Sequence, residues 1–308
     1  ADLREVFPIT PGSLTFGPAL QIGWGAGILT ISLGLVVQLD GVIGAGAGSP
    51  SIARIVLVGQ LQVKLPPVDD APEVIKLLVD ILGYYDFEEM ELGIDARLRD
   101  SHLIGLPLTG SLCVRARFGS DPTFLMAIGG FHPRFTELPP GLPAQDRLGV
   151  RLVYGELTVQ IGCYTAITSN SFQFGVEANL IVAASDFRVE AYLGFDALFI
   201  FTPTFHFTIE FRMGAAVSWN GHDLASIRVR GELSGPGRWE ITGEASFSIL
   251  CWEVEIGFHE AWGNAPALPL TDAPILPEII EALQRDDAWH ASLPGGLPFV
   301  TVRQLDDR

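Results

Sequence analysis

The chain is poor in cysteine. Cys113, Cys163 and Cys251 are the only three in 308 residues, and they lie far apart. That odd number and wide spacing argue against a disulfide framework. Each sits in an apolar run, so they read as buried, reduced thiols, which points to a cytoplasmic setting. Charge is also scarce, at 18% of residues, and one-sided: 19 basic against 36 acidic groups, a net of -17. A nucleic-acid backbone would be repelled, and anionic headgroups would not be a main attraction. Long hydrophobic runs are missing too. The longest, Ile28 to Val37, is broken by Thr30, Ser32 and Gly34, and falls short of the roughly 20 residues that a membrane helix needs. The opening Ala1-Asp2-Leu3-Arg4 lacks the basic region and apolar core of an export signal.

Chemical motifs are equally sparse. The six histidines, at 102, 132, 206, 222, 259 and 290, are scattered, with no HxxxH or HExxH spacing and no cysteine nearby. No GxSxG or CxxC appears, so no metal and no cofactor is expected. The glycines of Gly44-Ala45-Gly46-Ala47-Gly48-Ser49-Pro50 are followed by neither a Lys-Ser/Thr pair nor a helix start. They read as a loop tip, not a phosphate cradle.

What the chain does have is apolar residues, 48% of the total, and a mean hydropathy of +0.34. Such a protein buries a large core or keeps an apolar surface for something else. From Phe172 to Trp262 these residues alternate with polar ones. Phe172, Phe174, Val176, Ala178 and Leu180 are followed by Val189, Ala191, Leu193 and Phe195. Then come Phe205, Phe207, Ile209, Phe211 and Met213, then Ile227, Val229 and Leu233, then Trp239, Ile241, Ala245 and Phe247. Turn residues separate the runs: Ser185-Asp186, Asn220-Gly221 and Gly235-Pro236-Gly237. Period-two alternation punctuated in this way predicts one long antiparallel meander, apolar on one face and charged on the other. At Trp252, Val254, Ile256 and Phe258 the apolar positions change from odd to even. A β-bulge near Ile249-Leu250 is the expected cause.

Earlier in the chain, strands are expected at 14–18, 22–25, 28–38, 52–65, 92–98, 112–117, 123–128 and 152–165. Residues 73–83 have both helical and alternating spacing and are read as a strand. Pro139, Pro140 and Pro143 mark the best internal boundary, and a helix is expected from Pro277 to Asp287. The regions are then an N-terminal β part at 1–135, the main meander continuing the same sheet at 136–262, and a linker, helix and truncated strand at 263–308. The missing initiator Met and the abrupt strand at Val300-Thr301-Val302-Arg303 suggest a piece of a longer protein. About fourteen strands are counted, enough for a barrel with a cavity.

Polar clusters are read as solvated strand faces. Asp95, Arg97, Arg99 and Asp100 suit cross-strand pairing. His206, Glu210 and Arg212 share a strand face and would need a common pocket to be catalytic. Glu240 and Glu244 have Cα atoms about 13 Å apart on one strand, far for a carboxylate pair. An enzyme of unknown class is the third and least favoured reading, after a binding module and a structural component. The aromatic set is the informative feature. Phe172, Phe174, Phe195, Phe205, Phe207, Phe211, Phe247 and Trp252 are the candidate ligand-binding residues. They can pack a core between sheets or line an apolar groove for acyl chains. An outer-membrane barrel is a further possibility, since alternation and aromatic supply fit it, while the proline-rich loops and the helix do not follow from it.

Gly129-Gly130-Phe131-His132-Pro133-Arg134-Phe135, Ala191 to Phe199, Leu106-Pro107-Leu108-Thr109-Gly110, and Trp239 to Phe258 together resemble a bacterial family of large, hydrophobic, β-rich proteins of unknown function. The resemblance runs from about residue 60 onward. It implies a β-rich fold and a longer parent chain, and it brings no catalytic residues. The expectation is therefore an all-β protein, a long antiparallel meander curled into a barrel, groove or two-sheet form around a phenylalanine-rich interior, with one C-terminal helix. Its expected function is non-catalytic binding or channelling of an apolar ligand such as lipid acyl chains. The alternative is a structural or assembly component, whose apolar face further domains or copies would cover.

Overall fold

The computed structural model describes residues 13–40, 51–67, 73–250, 252–263 and 275–285. Two compact units emerge, residues 1–269 and 270–308. In the second, one helix, α1, spans Ile275–Gln284, with Pro277 in its first turn. Among the described residues no helix is long and apolar enough to cross a membrane.

The first unit is one antiparallel sheet of eighteen strands. In chain order these are β1 (Leu14–Phe16), β2 (Ala19–Trp24), β3 (Leu29–Asp40), β4 (Ser51–Leu65), β5 (Ile75–Asp86), β6 (Glu91–Leu98), β7 (Ser101–Leu103), β8 (Leu106–Thr109) and β9 (Ser111–Arg117). There follow β10 (Thr123–Ile128), β11 (Leu148–Tyr154), β12 (Leu157–Thr168), β13 (Ser171–Ala184), β14 (Phe187–Ile200), β15 (His206–Trp219), β16 (His222–Gly235), β17 (Trp239–Ile249) and β18 (Trp252–Trp262). Residues 73–83 fall largely in β5, so alternation wins over helical spacing there.

The eighteen strands occupy fourteen positions. β1 and β2 pair with β3 in one register and differ only by the break at Gly17-Pro18. β6 and β7 both pair with β5, and β8 and β9 run alongside them. β10 and β11 share a position between β9/β8 and β12. Between them the chain leaves the sheet for residues 129–147, the proline-rich stretch. That stretch is thus an excursion from one strand position, with the sheet continuous on either side of it.

Tight turns explain most of the register. Ile104-Gly105 and Asn220-Gly221 have positive φ at both residues, the type I′ geometry that matches strand twist. The run expected at 152–165 is a hairpin, turning at Gly155-Glu156. The change of phase after Ile249 is also a hairpin and not a bulge. Ile249 pairs directly with Trp252, so a two-residue connection restores the same face on the next strand. Leu250 carries a positive φ of 54°. The irregularities that do occur lie at Gln38/Leu39 and Val217/Ser218. Cys251, the 44–50 loop tip and residues 300–302 lie outside the described residues.

Glycines recur opposite aromatic rings. Tyr84 faces Gly93, Tyr164 faces Gly175, Tyr192 faces Gly214, Phe211 faces Gly231 and Phe258 faces Gly243. A Cβ on any of these glycines would meet the ring within 2.1 to 2.7 Å. Each ring therefore lies flat over its partner strand, which covers the glycine backbone and pins the register.

Candidate functional site

Following the ladders assigns every strand residue to a face. One face carries Leu33, Leu57, Ile81, Ile94, Val114, Met126, Ile167, Phe174, Phe195, Phe211, Leu233, Ile241 and Ile256 in lateral succession. Across β12 to β18 its registered positions hold one charged residue, Glu260. The opposite face carries Arg54, Asp80, Asp86, Asp95, Arg115, Asp196, Glu210, Arg212, Glu232 and Glu244. One apolar and one charged face is the division that the alternation predicts.

Curvature puts the charged face inside. A cavity of about 1850 Å³ is lined by Gln21 on β2 and by Thr168 at the end of β12 with Ser169 and Asn170 after it, with β3, β4, β5, β6, β9 and β10 between them. Seven strand spacings amount to about 34 Å along the sheet, so one cavity can touch both ends only if that face is concave. A second cavity of about 710 Å³ opens on the same face, beside Arg134, Glu210, Arg212, Glu232, Glu244 and His259. His206 is not among its lining residues, so this cavity does not bring His206 together with Glu210 and Arg212.

The excursion 129–147 lies on this inner face. Its Phe135, Leu138, Pro140 and Gln145 line the larger cavity and its Arg134 the smaller. Arg134 pairs with Glu210 and donates to Glu232 at 2.9 Å, 98 residues away. Arg147 donates to the carbonyls of Gly129 and Phe131 at 2.9 and 3.0 Å and stacks over the Tyr164 ring at 3.9 Å. Arg97 reaches Asp146 and the Ala144 carbonyl. Ser111 donates to Gln145 and accepts from the Asp146 N–H.

Beneath the loop sits a buried polar network. Asp196, 3% exposed, accepts from Tyr164 at 2.9 Å and from Arg212 at 2.6 Å. Gln173, fully buried, accepts the His132 N–H at 2.9 Å and donates to Ser171 at 2.8 Å. Burial pushes the Tyr164 hydroxyl up, helped by the carboxylate it serves. Burial also raises the Glu210 carboxyl against the pull of Arg134. On the other side of the interior, Arg54 holds Asp86 and Arg115 holds Asp95 at 2.9 Å. Burial raises the Asp86 carboxyl, but the Glu89 N–H and Arg54 more than reverse this and hold it below the ordinary range. Burial and the bond to Glu91 push the Tyr84 hydroxyl up to about 12.

The candidate ligand residues, apart from Phe205 in the connection before β15, fall on the apolar face, and that is the outer one. Phe172 and Phe174 are each 37% exposed, Phe247 is 48% and Trp252 81%. Phe195, Phe205 and Phe211 are half-buried and Phe207 is buried. Rings on neighbouring strands touch in a lateral ladder from Phe172 and Phe174 through Phe195, Phe199 and Phe207 to Trp239 and Trp262. The rings do gather on one side, but the expected phenylalanine-lined interior is reversed, because the loop and the ion pairs occupy the concave side. Of the cysteines, Cys113 on the inner face is buried and its thiol is pushed up to about 11 by burial, whereas Cys163 on the apolar face is exposed. The expectation of buried thiols fails at Cys163. Among the described residues no group of histidine, cysteine and carboxylate side chains is arranged to hold a metal ion.

The model of a family of unknown function, DUF6603, matches residues 1–297, and the chain belongs to that family. No curated protein and no solved structure matches it.

Proposed function

We propose that the chain is a lipid-facing β-wall, with its apolar face against the acyl chains of a bilayer and its polar face around a water-filled interior. One observation carries the reading. The outer face is almost free of charge and leaves Trp24 at 69%, Ile256 at 62%, Val254 at 53% and Trp252 at 81% exposure. A protein surface in water rarely keeps so broad an apolar area uncovered. Hydrocarbon accepts only walls whose backbone groups are paired internally, a condition that strands flanked by a ladder on both sides meet, such as β12 to β17, and that the lateral edges meet only where they too are paired. Aromatic side chains collect near both ends of the strands on this face: Trp24, Tyr154, Phe187, Trp219 and Trp252 at the end that carries the turns 155–156, 185–186 and 220–221, and Phe16, Phe124, Phe172, Trp239 and Trp262 at the end that carries the connections 169–170, 201–205 and 236–238. Aromatic girdles around an aliphatic band, with polar residues inward, are the pattern of a membrane-spanning strand wall. An acyl chain inside would instead meet Arg54, Asp86, Asp95 and Arg115, so the lipid contact moves from the interior to the exterior.

The full chain, refolded with phosphatidylcholine vesicles, tests this. Expected are co-flotation with the vesicles and quenching of tryptophan emission by lipids brominated on their acyl chains. A protein that stays in the soluble fraction, unquenched, overturns the reading. If it does so as a discrete oligomer, the apolar face is covered by protein, as an assembly component would have it.

A further inference from the structure

His132 belongs to the Gly129–Phe135 stretch and is only 2% exposed. Its Nδ1 accepts the backbone N–H of Arg134 at 3.1 Å. The neutral ring therefore carries its hydrogen on Nε2, a buried atom with no partner. Protonation would place a second hydrogen on Nδ1, facing the Arg134 N–H, and turn an accepted bond into a donor–donor contact. The charge would also arrive among like charges. Arg134 and Arg147 of the loop and Arg212 of β15 act on the ring, opposed by Asp196 of β14. That carboxylate is already engaged by Tyr164 of β12 and Arg212. Gln173 of β13, the remaining contact, is neutral and holds only the His132 backbone.

We propose that His132 is a proton-sensitive latch, and that its protonation releases the 129–147 loop from the polar face and joins the two interior cavities. Loop residues line both cavities. Gly129 and Gly130, with φ of 74° and 88°, supply a hinge at one end. The inference stands on the inner face alone and does not depend on what the outer face touches.

The sign follows from burial, the largest influence, which lowers the ring's affinity for protons in the closed loop. The closed state is favoured above the ordinary histidine value of about 6.5 and loses ground as pH falls through it. Amide hydrogen exchange of segment 131–143, corrected for its intrinsic pH dependence, reads the opening. Between about pH 7.5 and about pH 5.5 the opening constant is expected to rise about tenfold, while β13–β15 stay protected. In H132N, whose side-chain oxygen can still accept from Arg134, the rise disappears. An unchanged loop in the wild type, or an equal rise in H132N, overturns the latch. Should H132N not fold, the wild type decides: a rise confined to the loop supports the latch, and a rise shared with the strands overturns it.

Discussion

Asp196 and Trp252 lie on opposite faces of one sheet, and their exposures run against their chemistry: the carboxylate is 3% exposed and the indole 81%. On the inner face, burial comes from curvature and from the 129–147 loop laid across the strands. On the outer face the strands diverge and nothing among the described residues lies over β18. For these two residues position in the sheet, not residue type, decides burial. The inner face consequently needs its hydrogen bonds complete, while the outer face is open to substitution as far as folding is concerned.

The sharpest break of that contrast is Asp196→Ala. It strips the acceptor from the buried Tyr164 hydroxyl and the partner from Arg212, whose side chain is 43% exposed and can turn to water. Most of the cost is therefore the orphaned hydroxyl and the cavity. We expect a loss of about 3 kcal/mol, read as a shift of the urea midpoint. A loss below about 1 kcal/mol would mean that the network is wet and that the interior is not a distinct environment.

Next come paired glycine substitutions. A Cβ at Gly175 would lie 2.4 Å from the Tyr164 ring, 2.7 Å from Asp196 and 2.8 Å from the Phe195 carbonyl. Gly175→Val should cost about 2 kcal/mol through overpacking. At Gly257, where a Cβ meets nothing within 4 Å, valine should be neutral or slightly stabilising, because it suits a strand. Equal effects at the two sites would remove the glycine–ring pairs as register devices. Smaller again is the acid response of Asp86. Its carboxyl is held below the ordinary range, so its contribution is present above about pH 3.9 and is lost as pH falls through the folded value. Arg54→Met removes the guanidinium, and the dependence of stability on pH below about 4 should flatten. An unaltered slope would assign the effect to the Glu88 and Glu89 N–H groups, which also serve this carboxylate.

Much of this fold is legible from alternation. The two faces, the turns at 185–186 and 220–221 and the strand at 73–83 all follow from local pattern. Which face is concave does not. Period two states that the faces differ, and curvature accumulates over many strands that no short window contains. The hairpin that pairs Ile249 with Trp252 escapes notice because Leu250 is not a turn residue by type. The inner site is hidden by distance along the chain: Arg134 finds Glu232, and His132 finds Gln173, only once the register is set. His132 stood in a stretch that marks the family resemblance, which was the available signal, but a single histidine in a proline-flanked loop does not announce burial. Cys163 misleads for the reverse reason, since an apolar neighbourhood in sequence can be an exposed one in space.

The smallest expected change in stability carries the most information about function. Trp252, Val254 and Ile256 sit in succession on the outer face of β18, at 81%, 53% and 62% exposure. Replacing all three by Ser, Thr and Ser should move the unfolding midpoint little, within about 0.5 kcal/mol per site, because exposed side chains give up few contacts. The same replacement should abolish co-flotation with vesicles if the face meets hydrocarbon, since each buried methylene is worth about 0.8 kcal/mol of partition. A stable variant that still floats would place the lipid contact elsewhere on the sheet. A variant that unfolds in water would show that these side chains support the fold, and would remove the main reason for reading the outer face as a surface kept for lipid.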